Sequence, residues 1–112
     1  MNRIFCMLKA FEQSWAKMGL GDDDLAYLQG LLIQNPEAGA VMADSSGARK
    51  VRVPMDGRGK SGGGRVIYVD LMISEKIYLL FAYPKNEKEN LDKKELSKIK
   101  QIVDLIKQEE GI

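Results

Sequence analysis

Residues 48–68 read ARKVRVPMDGRGKSGGGRVIY, and the two ends of this stretch are the clearest strand signals in the chain. From Ala48 to Val53 apolar and charged residues alternate. Val51 and Val53 therefore fall on one face of a strand, with Lys50 and Arg52 on the other. Pro54 to Gly64 is glycine-rich loop chemistry, and Arg65 to Asp70 resumes as a second strand. A third, Ile77 to Tyr83, is apolar throughout, the pattern of a central strand covered on both faces. A polar turn near Ser74 and Glu75 precedes it, and Pro84 stops it. Ala40 to Met42 predicts a shorter strand before the turn Asp44-Ser45-Ser46-Gly47.

Toward the N-terminus the texture is helical. Asn2 to Leu8 alternates weakly, as a short first strand would. Phe11, Trp15 and Met18 then repeat at the spacing of one helix face, and Gly19 suits the left-handed position just past its end. Asp22, Asp23 and Asp24 open a second helix, where acidic side chains meet free backbone N–H groups and the positive end of the dipole. With no other ligand cluster nearby, a capped helix start explains this triplet better than a metal site. Leu25, Leu28 and Leu32 form the apolar face, and Asn35-Pro36 ends the helix. Toward the C-terminus, Asp92 with Glu95 has capping-box spacing, and Leu96, Ile99, Val103 and Ile106 make the stripe of a last helix. Its charges alternate in sign, as on a solvated face.

The expected architecture is one α+β domain over residues 1–112, with helices on one side of a mainly antiparallel sheet. At 45% apolar and 29% charged the chain has an ordinary globular composition. Its single cysteine, Cys6, cannot form an internal disulfide, and no stretch has the length of a membrane span or the pattern of a secretion signal. The expectation is a cytoplasmic protein with no membrane partner.

The glycine loop imitates two phosphate-binding motifs. Gly57-Arg58-Gly59-Lys60-Ser61-Gly62 fits GxGxxG, which works only where a helix begins and its N-terminal amides hold the pyrophosphate. Gly63, Gly64 and a strand follow instead. Gly59-Lys60-Ser61 imitates the end of a P-loop, but Pro54 stands where that loop needs glycine. Both readings are rejected. The charge is more informative. Arg49, Lys50, Arg52, Arg58, Lys60 and Arg65 face only Asp56 across seventeen residues, a local balance of +5 in a chain of net charge +1. Such a field attracts phosphates. A solubilising hairpin with stray cations is the plain alternative, although Lys50 and Arg52 share one sheet face with no apolar neighbour.

In order and spacing, these segments resemble the RelE/HigB toxins of type II toxin–antitoxin modules. The residues that carry the resemblance are Asn35-Pro36, Ala48-Arg49-Lys50-Val51-Arg52, Gly57 to Tyr68, Ile77-Tyr78-Leu79-Leu80 and Tyr83-Pro84-Lys85-Asn86-Glu87. The resemblance covers roughly residues 20–108 and implies a compact sheet with two N-terminal helices and one C-terminal helix. It further implies a cytoplasmic endoribonuclease (a hydrolase acting as an mRNA interferase) that cuts messenger RNA in the ribosomal A site. In the family the 2′-hydroxyl attacks the neighbouring phosphate without a metal or other cofactor. The implied partners are mRNA, the ribosome with its 16S rRNA, and a helix-turn-helix antitoxin.

The family's paired basic strand residues correspond to Lys50 and Arg52, its arginine at the next strand to Arg65, and its basic residue after the last strand to Lys85. Where its best-understood members have a second arginine and a C-terminal tyrosine, this chain has Asn86 and the neighbourhood of Asp92. The turn at Asp44-Ser45-Ser46 and Ala48 also departs from the usual Gly-rich, Leu-containing pattern.

With no histidine in the chain, clustered cations must supply the acid–base chemistry. A lysine among like charges gives up its proton more readily and can share it nearer neutrality. An arginine stays charged and holds phosphate oxygens bidentately; one such donor is worth about 3–4 kcal/mol in a transition state. Arg65 is accordingly expected to stabilise the phosphorane and Lys50 to act as base or relay. Arg49, Arg52, Arg58, Lys60 and Asn86 are expected to hold RNA, with Glu87 an alternative base. Tyr68 and Tyr83 are candidates for base stacking or for core packing, while Phe11, Trp15 and Phe81 are assigned to the core. Two other readings stay open: a binding module that has lost cleavage, and an adaptor with an incidentally basic loop.

Overall fold

The computed structural model describes residues 2–55, 63–87 and 90–112. Strand β1 (Ile4–Met7) leads into helices α1 (Lys9–Lys17) and α2 (Asp22–Gln34), then β2 (Ala40–Val41), β3 (Arg49–Val53), β4 (Gly64–Leu71), β5 (Lys76–Pro84) and helix α3 (Lys93–Glu109). The sheet order is β1-β5-β4-β3-β2. All neighbours are antiparallel except β1 and β5, which run parallel. The expected α+β class holds, with each predicted element present and its ends shifted by at most a few residues.

Local chemistry explains the boundaries. Gly19 ends α1 with φ +80°, a left-handed conformation that glycine adopts without a Cβ penalty. At the start of α2 the Asp24 carboxylate accepts from the Gly21 backbone N–H at 2.9 Å. The capping box of α3 closes as its spacing predicts. Asp92 Oδ1 accepts from the Glu95 N–H at 2.8 Å, and Glu95 Oε1 accepts from the Asp92 N–H at 3.0 Å.

The helices do not share one side of the sheet. Phe11, Trp15, Leu28 and Leu32 from α1 and α2 pack with Val51, Val53, Val66, Tyr68, Ile77 and Leu79. Ile99, Val103 and Ile106 from α3 pack with Ala48, Ile67, Val69, Leu71 and Leu80. The two sets of strand residues have opposite parity, so α3 covers the face opposite α1 and α2. This corrects the one-sided expectation, and it gives β4 and β5 apolar cover on both faces, as the unbroken apolar run of β5 requires.

Three polar ties fix the elements together. Arg3 grips Asp70 with Nε and Nη2 at 2.7 and 3.3 Å, joining the start of β1 to the end of β4. Tyr78 and Lys76 both donate to Glu110 Oε2, at 2.5 and 2.8 Å, anchoring the C-terminus of α3 to the start of β5. The turn between β2 and β3 clasps α3 from outside. There the Ser46 hydroxyl donates to Asp104 at 2.6 Å, and Lys107 Nζ donates to the Ser46 carbonyl at 2.7 Å.

Candidate functional site

Cross-strand register defines the site. Lys50 lies opposite Ile67, which lies opposite Phe81; Arg52 lies opposite Arg65, which lies opposite Tyr83. Directly opposed residues of antiparallel strands project from the same face. Because Ile67 belongs to the α3-side core, Lys50, Arg52 and Arg65 all stand on that face. The alternation of β3 thus brings together the three cations that the sequence singled out. They occupy the end of the face away from Lys76, Tyr78 and Glu110.

Their environments differ. Arg52 is exposed and Lys50 half-buried. Among the described residues neither has a carboxylate partner. Three cations elsewhere are paired with carboxylates: Arg3 with Asp70, Lys76 with Glu110 and Lys100 with Asp104. Arg65 is only 6% exposed, and its Nη1 donates to the Gly64 carbonyl at 3.1 Å. Its side chain is therefore largely withdrawn from solvent. Lys85 and Asn86 are exposed just past β5, where the Lys85 backbone N–H donates to the Gly63 carbonyl at 3.0 Å. This bond ties their turn to the β4 end that carries Arg65.

Three residues expected to bind RNA lie apart from the exposed row. Arg49 shares the parity of Val51 and so lies on the α1–α2 face. Its Nη1 donates to the Gly39 carbonyl at 2.7 Å, which makes it a brace for the segment after α2. Tyr68, its cross-strand partner, is 0% exposed. The Tyr68 hydroxyl donates to the Pro36 carbonyl at 2.7 Å and accepts from the Gly39 N–H at 3.0 Å, and burial pushes the phenol above its ordinary pKa. Tyr83 is on the α3-side face but only 2% exposed, so its ring is core and offers no open platform for a base. Arg58 and Lys60 lie outside the described residues. The Asp22–Asp24 triplet serves as a helix start, and among the described residues no group of three metal-ligating side chains assembles.

One residue belongs near the site that the sequence assigned elsewhere. Phe81 is half-buried at the margin of the α3-side core, and its ring lies 6.2 Å from that of Tyr83 at 29°. The register shift opposite Ile67 and Tyr68 inserts Leu80 as an extra residue, which carries Phe81 onto the same face as Lys50. No sequence signal marks that bulge.

The sheet thus carries helices on both faces, and at one end of its α3-side face stand Lys50 and Arg52, which have no carboxylate partner among the described residues. The comparison with known families is specific. Over residues 2–110 the chain matches the family described as RelE toxin of the RelE / RelB toxin–antitoxin system, and the chain belongs to it. A solved structure of E. coli toxin RelE, a double arginine-to-alanine variant in the free state, is similar with a TM-score of 0.55 and 16% identity. The match covers 80% of this chain and 90% of that one, and shows the shared fold. This chain is thus a toxin of a toxin–antitoxin system. Among the described residues no helix is long and apolar enough to cross a membrane.

Proposed function

We propose that this toxin is a ribosome-dependent, metal-independent endoribonuclease of the HigB-like branch that cuts mRNA in the A site, works in the cytoplasm and is silenced by a helix-turn-helix antitoxin. The observation that carries this reading is the row Lys50, Arg52 and Arg65 on one sheet face, with Lys50 and Arg52 unpaired by any described carboxylate. A polyanion is the ligand that such a row suits, and the ribosome would deliver the single-stranded message to it.

In this mechanism the 2′-oxygen bonds to the adjacent phosphorus as the bond to the 5′-oxygen breaks, leaving a 2′,3′-cyclic phosphate and a 5′-hydroxyl. Lys50 takes the 2′-hydroxyl proton directly or through water. Arg52 holds the non-bridging oxygens, whose charge grows toward the phosphorane, and the buried Arg65 adds positive potential behind it. Lys85 gives a proton to the departing 5′-oxygen, which completes the 5′-hydroxyl. Asn86, Arg58 and Lys60 hold the flanking backbone.

The burial of Arg65 favours a second reading, in which the chain binds RNA or antitoxin without cutting. Programmed ribosomes separate the two. Wild-type protein should release fragments cut at one position of the A-site codon, a 2′-deoxy substitution there should abolish release, and Arg52→Ala should slow it at least about 100-fold. Tight ribosome binding with intact message would establish the binding module and refute the nuclease.

A further inference from the structure

Strand β1 pairs with β5 only as far as Leu79, leaving the last part of β5 with an open edge. Helix α1 runs beside that edge, where the Ser14 hydroxyl accepts from the Ala82 backbone N–H at 3.0 Å. Between them lies a groove of about 310 Å³ lined by Gln13, Lys17, Phe81, Pro84 and Glu87 among others. It is near the lower end of the range for small-ligand sites, about 300–1,000 Å³, and too small for a folded partner.

We propose that this groove is a subsite for the message base next to the cut phosphate, with Phe81 as its stacking platform; the proposal rests on the nuclease reading above. Three observations converge. Phe81 is a half-exposed aromatic at the cationic end of the α3-side face, whereas Tyr83 there is buried and Tyr78 lies at the opposite end, bonded to Glu110. Tyr83, which lines the groove, is the cross-strand partner of Arg65, Phe81 stands across Ile67 from Lys50, and the lining residues Pro84 and Glu87 flank Lys85 and Asn86, so only β4 separates the groove from Lys50 and Arg52. The rim offers what one nucleotide needs. Lys17, in the last turn of α1, supplies a cation for a flanking phosphate, and Gln13 and Glu87 supply donors and acceptors for a base edge. A peptide strand added to the open edge is the less favoured occupant, because Ser14 already takes the Ala82 N–H that such a strand would use.

The test uses ribosomes programmed with messages carrying either a normal base or an abasic residue beside the cut position. Wild-type toxin should show about a tenfold higher KM on the abasic message, at similar kcat. Phe81→Leu, which keeps apolar packing against the α3 side, should lose that preference by raising KM on the normal message, and Phe81→Trp should restore it. Equal cutting of both messages by wild type, or a preference that survives Phe81→Leu, overturns the subsite while leaving the nuclease intact. Loss of antitoxin binding alone in the Phe81 and Lys17 variants assigns the groove to a peptide, also against the proposal. Failure of wild type to cut either message refutes the parent reading, and the subsite with it.

Discussion

At the residue scale, the candidate site follows from the parity of β3. The alternation of Lys50 and Arg52 against Val51 and Val53 was legible, and the structure keeps it. The same alternation puts Arg49 beside Val51, a signal outweighed in the sequence by the attraction of one more cation. Tyr68 was not legible in this way, because its face depends on the register of β4 against β3, which the sequence between them does not specify. Its role is now testable. Tyr68→Phe leaves the Pro36 carbonyl and the Gly39 N–H without a buried partner, at a cost of about 2 kcal/mol in unfolding free energy by urea titration. RNA cleavage measured at a temperature where both proteins are folded should be unchanged. A large loss of cleavage with normal stability would return Tyr68 to the RNA site.

At the scale of elements, α3 shows what sequence can and cannot specify. Its start was legible because Asp92 and Glu95 are close in sequence and cap reciprocally. Its C-terminal anchor was not, because Lys76 and Tyr78 meet Glu110 across more than thirty residues. That anchor sets a pH dependence. Hydrogen bonds from Lys76 and Tyr78 hold the Glu110 carboxyl below its ordinary value of 4.5, so the unfolded chain takes up this proton first. The stabilisation is complete above that value and fades as pH falls through the lower folded one. Lys76 and Tyr78 are both shifted upward, chiefly by their hydrogen bonds to Glu110, so their share fades as pH rises past 10.5 and 10.0. Glu110→Gln should lower the urea midpoint at neutral pH and narrow its gap from wild type below the ordinary glutamate range. A gap that stays constant from neutral to acid pH would show that the Glu110 charge does not stabilise α3.

At the scale of the whole molecule, the apolar run Ile77–Tyr83 forecast a central strand, yet the helices were expected on one side of it. The unbroken run already implied cover on both faces, and the split of α1 and α2 from α3 supplies it. This layering leaves Lys50, Arg52 and Arg65 together at one end of the α3-side face. Mapping mRNA 5′ ends in cells after toxin induction reports nuclease activity at that end. Wild type should stop growth and produce 5′-hydroxyl ends phased to the reading frame, and a Lys50→Ala, Arg52→Ala double variant of equal abundance should produce none. Growth arrest with intact messages, or identical phased ends from the double variant, would contradict it.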